Sequence, residues 1–481
     1  MITFLVCLTA LIGAYFIYGK YLDRQAGIDK DRSTPADRMA DGVDYIRMPR
    51  WRTFLIQLLN IAGTGPIFGA ILGACFGPVA FIWITLGGIF FGAMHDYMSG
   101  MMIVRGDGRS LPEIIGKYLG IGVRDFVRVF SIFLMVLVGA VFLLSPAQLL
   151  GTLVPSVSQA WWVGIILVYY IIATMLPVDK VIGKLYPVFG AALIAMALGL
   201  FGALLTGGYS IPEMTTFHNY QLNAEDLPIM PALFITIACG AISGFHATQS
   251  PMMARCVGNE TECRMVFYGA MISESVIALI WAAVAMAFFG GAGALSQTMA
   301  DNGNNPAWAV DVISRGTLGT VGSILAMLGV VAAPITSGDT AFRSARLMIA
   351  DIFGIDQRPI VKRFLICLPL FAIGFGITLV DFGVLWRYFA WANQTLGTIV
   401  LWSIVVWLAS RGRNFVLAII PAIFMTYVIT SFMCIADQFF GIENRVLAYS
   451  LAGVATLSIA ALVVGRLVMP YVANRKAPVA D

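Results

Sequence analysis

The sequence predicts an all-α polytopic membrane protein with about thirteen transmembrane helices. Three observations predict it. Of its 481 residues, 59% are hydrophobic and only 12% charged, whereas a soluble domain carries about 25% charge. Thirteen segments are apolar over the roughly 20 residues that a helix needs to cross a bilayer: 2–19, 52–73, 78–101, 129–150, 161–178, 185–206, 229–254, 265–290, 319–342, 364–380, 384–410, 414–435 and 446–469. The connections between them alternate sharply in basic charge.

Residues 1–19 hold no charged side chain and Lys20 is the first basic residue. A signal peptide puts its positive charge before the apolar stretch, so the first segment is expected to be a retained membrane helix. The connections from Lys20 to Arg52, Arg105 to Arg128, Lys180 to Lys184, Arg255 to Arg264, Arg343 to Arg363, Arg411 to Arg413 and Arg466 to Lys476 hold 27 of the 30 Lys and Arg. Only Arg315, Arg387 and Arg445 fall on the opposite side. The positive-inside rule then places the N-terminus outside and the C-terminus in the cytoplasm of a cell inner membrane.

The connection at 20–51 carries both signs of charge and reads as a solvated connector. Residues 207–228 are acidic and lack Lys and Arg, and 291–318 contain a stretch from Pro306 to Ser314 suited to a short surface helix. The net charge of +4 comes with no basic run interleaved with aromatics, so nucleic acid is not an expected partner. No soluble domain is evident, and function is expected within the membrane part.

Two spans break helix rules in a related way. The second reads Asn60-Ile-Ala-Gly-Thr-Gly-Pro-Ile-Phe-Gly69, with Gly63, Gly65 and Pro66 inside it. The seventh reads Cys239-Gly-Ala-Ile-Ser-Gly-Phe-His-Ala-Thr-Gln-Ser-Pro251. Proline removes a backbone donor and glycine favours unwinding. Inside a bilayer, freed backbone is tolerated only when buried in protein or lining a wet cavity. Paired breaks of this kind point to a transporter binding site. The alternative is that the glycines only allow close packing, since Gly69, Gly73 and Gly77 also form GxxxG steps.

The two broken spans are five helices apart in the chain, and the charge map runs them in opposite directions. Residues 52–206 and 229–410 are thus expected to be inverted repeats of five spans each. They follow an N-terminal helix and loop (1–51) and precede two accessory helices and a tail (411–481). Half-helix N-termini favour an anionic group. Gly63, Thr64, Gly65 and Pro66, with Ser243, Gly244, His246, Thr248, Gln249 and Ser250, are therefore expected to bind a substrate carboxylate at the unwound stretches 63–66 and 243–250.

Ionisable residues within spans are costly and usually functional. Glu274 is the leading proton-accepting carboxylate, against a buried carboxyl held by a neighbour. His246 suits substrate binding or proton relay, against a satisfied core histidine. His95 and Asp96 lie near the inner end of the third span, where Asp96 is expected to pair with Arg105 or Arg109. In Pro334-Ile-Thr-Ser-Gly-Asp-Thr340, Thr336 and Ser337 offer oxygens to Na⁺, and Asp339 is expected to pair with Arg343 one turn on as an inner gate. Asn393 and Gln394 either line the cavity or bond across helices.

The seven cysteines show no CxxC spacing and are expected to be small packing residues. With no HExxH and no Cys/His ligand spacing, no metal or other cofactor is expected, and no Walker A sequence supplies ATP. No nucleophile–base pair suggests an enzyme.

Long strings of this sequence resemble the carbon starvation protein A family. They are Ala62-Gly-Thr-Gly-Pro-Ile-Phe-Gly-Ala-Ile-Leu-Gly-Ala-Cys-Phe-Gly-Pro78, Gly92-Ala-Met-His-Asp-Tyr-Met-Ser-Gly100 and Arg105-Gly-Asp-Gly-Arg-Ser-Leu-Pro-Glu113. Ser243–Pro251 and Ile335–Arg346 resemble it too. The resemblance implies uptake of peptides or pyruvate by proton-coupled secondary transport, on a LeuT-like five-plus-five inverted repeat. The expectation is a symporter for a small carboxylate or peptide, with proton or sodium as coupling ion. Its rivals are a channel, which would need a continuous polar stripe or a ring of charge, and a transport-derived sensor, which would need an output domain.

Overall fold

The computed structural model describes residues 1–42, 44–175, 178–357 and 359–473. The Lys180 and Lys184 side chains, Arg475 and Lys476 lie outside the described residues. Within them the chain is helical, with no strand. In chain order the main helices are α1 (Ile2–Ala26), α2 (Arg50–Ala62), α3 (Gly65–Ala74), α4 (Val79–Arg105), α5 (Ile121–Leu153), α6 (Gln159–Met175), α7 (Val178–Thr206), α8 (229–236), α9 (Gly244–Ala254) and α10 (Glu260–Phe288). Then come α11 (Pro306–Leu325), α12 (Ala332–Phe353), α13 (Ile360–Ile377), α14 (Phe382–Ser410), α15 (Val416–Ile435) and α16 (Arg445–Ala473).

By length and apolar composition, nine helices among the described residues can cross a membrane, or ten if α2 and α3 form one bent span. Helix lies along each of the thirteen predicted segments, but three fall short on their own. α6 has 17 residues. α8 and α9 are parted by non-helical backbone at 237–243. α12 carries Asp339, Arg343 and Arg346 within it.

α2 ends at Gly63, whose φ of +30° and ψ of −142° suit only glycine. α3 then starts at an angle of 56° to α2, with Pro66 in its first turn, where a missing N–H costs nothing. The second break differs from expectation. Residues 244–250 are helical, not unwound, and the break lies at 237–243. Pro251 lies inside α9, which runs on through it to Ala254.

Carbonyls freed by the breaks are taken up by side chains, as a bilayer interior demands. Ser337 Oγ of α12 donates to Leu59 O at 3.0 Å. Trp83 Nε1 of α4 donates to Ile237 O at 3.1 Å, and Gln394 Nε2 of α14 donates to Phe234 O. Gln394 thus makes the cross-helix bond that was one of its two expected roles. Around the breaks pack α4, α5, α10, α12 and α14. Of the apolar window of α14, 89% is buried, against 22% of α1 and α13, which lie at the periphery.

The 20–51 connection is less solvated than its charge suggests. Thr34, Pro35 and Ala36 are buried, and Glu260, 1% exposed, draws the connection in. Glu260 takes a two-pronged bond from Arg105 Nε and Nη2, both at 2.9 Å, and accepts from the Asp29 amide at 3.0 Å. Arg105 also donates to Ala26 O and Gly27 O. Removing one partner of a buried ion pair strands the other charge. Glu260→Ala is expected to lower stability by about 3–5 kcal/mol, read as a fall in Tm of the detergent-purified protein, with Glu260→Gln losing less.

Candidate functional site

Four buried titratable side chains from three elements join beside the breaks. α4 supplies His95 and Asp96, α9 supplies His246 and α10 supplies Glu274, all 0% exposed. Asp96 does not pair with Arg105 or Arg109. Its Oδ1 lies 2.7 Å from His95 Nδ1 and its Oδ2 lies 2.8 Å from His246 Nδ1. Arg105 is committed to Glu260, which leaves the carboxylate to the imidazoles. An ionised Asp is acceptor-only, so each Nδ1 carries a hydrogen toward it. The other nitrogen of His246, Nε2, faces Glu274 Oε2 at 3.4 Å. Neither Glu274 oxygen has a hydrogen-bond partner among the described residues. The line Glu274–His246–Asp96–His95 is thus a set of acceptors and imidazoles spaced for proton movement.

The start of α9 is held by α14. Asn393 Nδ2 donates to Ser243 Oγ at 2.9 Å, and Asn393 Oδ1 accepts from the Phe245 amide at 2.7 Å. Asn393 therefore makes the cross-helix bond that was one of its two expected roles, and it occupies an amide at the α9 N-terminus. Thr248 Oγ1 donates to Phe245 O at 2.6 Å, Gln249 Nε2 to Thr248 Oγ1 at 3.1 Å and Ser250 Oγ to His246 O at 3.0 Å. Those three side chains bond within α9. Thr248 also borders a small cavity of about 50 Å³ with Ser110, Pro112, Arg255, Ser344 and Asp351.

The two breaks touch. A Cβ built on Gly65 would lie 2.1 Å from Cys239 Cβ, and one built on Gly244 would lie 2.3 Å from the Gly397 amide nitrogen. Thr64 Oγ1, both amide atoms of Asn60 and both of Gln57 are buried without a partner among the described residues. Sequence reasoning missed Gln57 and Asn60 as site residues. Their signal was polarity in the run just before the break.

On the α12 side, Thr336 Oγ1 donates to Ala333 O at 2.8 Å, and Tyr186 Oη to Thr336 O at 3.1 Å. Asp339 Oδ2 lies 3.7 Å from Arg343 Nη2, and Thr174 Oγ1 donates to Asp339 Oδ1 at 3.4 Å. Arg343 also donates to Ala173 O at 2.8 Å. The structure thus separates two polar centres, one at His246 and one at Asp339.

The carbon starvation protein CstA profile matches residues 1–157 and 147–316. The chain belongs to the CstA family. An uncharacterised membrane protein of Haemophilus influenzae is 46% identical to it, over 60% of this chain and 91% of that protein. The peptide transporter CstA of Campylobacter jejuni is 29% identical over 55% of this chain and 47% of its own length. The pyruvate/proton symporter BtsT of Escherichia coli is 27% identical over 56% and 46%. The chain matches about half the length of those two transporters. The crystal structure of MhsT in complex with L-phenylalanine superposes with a TM-score of 0.55 over 87% of this chain and 99% of that one. At 13% identity, that likeness shows a shared fold alone. Of the relatives named here, those of Campylobacter jejuni and Escherichia coli carry the names of transporters.

Proposed function

We propose that this CstA-family chain is a secondary transporter that imports a small carboxylate, pyruvate or a short peptide, together with a proton. The observation that carries this reading is the buried line Glu274–His246–Asp96–His95 beside two adjoining helix breaks. The names of the relatives agree with it: one is a pyruvate/proton symporter and another a peptide transporter.

In this reading the chain spans the membrane thirteen times, with the N-terminus outside and the C-terminus in the cytoplasm. Residues 52–206 and 229–410 form the two inverted repeats. The helix at 1–51 and the pair within 411–481 are accessory. The substrate carboxylate lies against Gly63–Pro66 and the start of α9 at Ser243 and Gly244. There the unpartnered Gln57, Asn60 and Thr64 supply neutral hydrogen bonds. Thr248, Gln249 and Ser250 border its path toward the cytoplasm. Glu274 and His246 take up the proton. The Asp339–Arg343 pair closes the inner gate, and rocking of one repeat against the other exposes the cavity to each side in turn.

Sodium coupling has one observation in its favour. Ser337 Oγ donates to Leu59 O and Thr336 Oγ1 donates to Ala333 O, so α2 before its break and α12 both offer oxygens of the kind a hard cation takes. Uptake of labelled pyruvate and of a labelled dipeptide into proteoliposomes separates the readings. An inward proton gradient alone is expected to drive accumulation. Accumulation driven only by an inward sodium gradient would replace the proton by sodium as the coupling ion.

A further inference from the structure

The sequence shows no metal motif, yet the fold brings three metal-binding side chain types together. Cys239 comes from the unwound stretch before α9, His246 from the first turn of α9 and Glu274 from the middle of α10. One donor atom from each lies within 4.8 Å of the others. All three residues are 1% exposed or less. We propose that Cys239, His246 and Glu274 form a three-ligand site for a borderline divalent cation, zinc above all.

Four features of the geometry support it. First, tetrahedral zinc takes Sγ at about 2.3 Å and N or O at about 2.0–2.2 Å, which sets its ligands roughly 3.3–3.7 Å apart. His246 Nε2 and Glu274 Oε2 already stand 3.4 Å apart. Second, His246 Nε2 and both Glu274 oxygens are buried with no hydrogen-bond partner among the described residues, so no existing bond must break to bind a cation. Third, Asp96 Oδ2 holds His246 Nδ1 at 2.8 Å. A carboxylate on the far nitrogen fixes the tautomer that presents a lone pair at Nε2, the usual support of a metal-bound histidine. Fourth, Cys239 Sγ accepts from Asn393 Nδ2 and donates to Ser243 Oγ, each at a long 3.7 Å, and it also interacts with the His246 side chain. Thiolate and imidazole together select zinc over magnesium or calcium.

Three protein ligands leave a fourth position for water or solute. A bound cation would tie the break before α9 to α10 and compete with any proton on His246 and Glu274. The inference shares these two residues with the proposed proton path but does not rest on it, because metal binding is measured directly.

The purified protein, kept reduced, would be titrated with Zn²⁺ in equilibrium dialysis and with Co²⁺ in absorption spectroscopy. The expected results are one Zn²⁺ per chain and, with Co²⁺, the near-ultraviolet charge-transfer band of a cobalt–thiolate bond. Cys239→Ser is expected to abolish that band and weaken Zn²⁺ binding at least about tenfold, whereas Cys75→Ser leaves both unchanged. Asp96→Asn is expected to weaken binding about 10–100-fold by releasing the imidazole. No thiolate band in the unaltered protein, or equal Zn²⁺ affinity in Cys239→Ser, would overturn the assignment. The Co²⁺ spectrum of the unaltered protein needs no variant to fold.

Discussion

Glu274→Gln is expected to abolish proton-driven accumulation while substrate still equilibrates across the membrane. Glu274 is fully buried in α10, with His246 Nε2 3.4 Å from its Oε2. An uncompensated charge at such a position is costly, so a carboxylate there answers to whatever cation or proton reaches it. Glutamine keeps the shape and the polarity and loses the proton. For one proton carried with one monocarboxylate, each imposed pH unit supplies about 1.4 kcal/mol, or about tenfold accumulation. The unaltered protein is expected to approach that ratio, and Glu274→Gln to stay at the level reached without a gradient. Exchange of labelled for unlabelled substrate, which needs no net proton movement, is expected to survive. Full accumulation by the variant would remove Glu274 from the coupling path.

Gly65→Ala is expected to disable the protein by a different route. The added methyl would lie 2.1 Å from Cys239 Cβ and 2.4 Å from its Sγ, far inside van der Waals contact. Both residues sit on backbone next to a break, with little freedom to retreat. Overpacking of this kind costs about 1–3 kcal/mol or more, and here the strain falls where two half-helices meet. The expected result is a lower Tm and little uptake. Cys239→Gly in the same chain removes the colliding atoms and is expected to restore much of the stability. Gly65→Ala with an unchanged Tm would mean that the two breaks do not touch in the working protein.

Much of this architecture was legible in the sequence because membrane physics leaves few options. Apolar length marks helices, and Gly63, Gly65 and Pro66 in an apolar run mark a break. The second break was displaced: the sequence pointed to Pro251, while the unwinding occurs before Gly244. The helix runs on through Pro251, and the real disruption needed tertiary support from Trp83 and Gln394, which lie far away in sequence. Glu274 and His246 were visible as lone polar residues in apolar surroundings. That they face each other was not, since 28 positions and a turn part them. Asp96 was misassigned for a related reason. Nearby arginines suggested a pair, but Arg105 is held by Glu260, 155 positions away. Cys239 carried no signal at all, because a buried cysteine in an apolar span looks the same whether it packs or binds.

The account rests on protons moving with the substrate through Glu274 and His246. Proteoliposomes loaded with a pH-sensitive dye and given labelled pyruvate, with no gradient imposed, test this most directly. One proton is expected to enter with each pyruvate, acidifying the lumen in step with uptake, and Glu274→Gln is expected to uncouple the two signals. Pyruvate uptake by the unaltered protein with no change in luminal pH would contradict it.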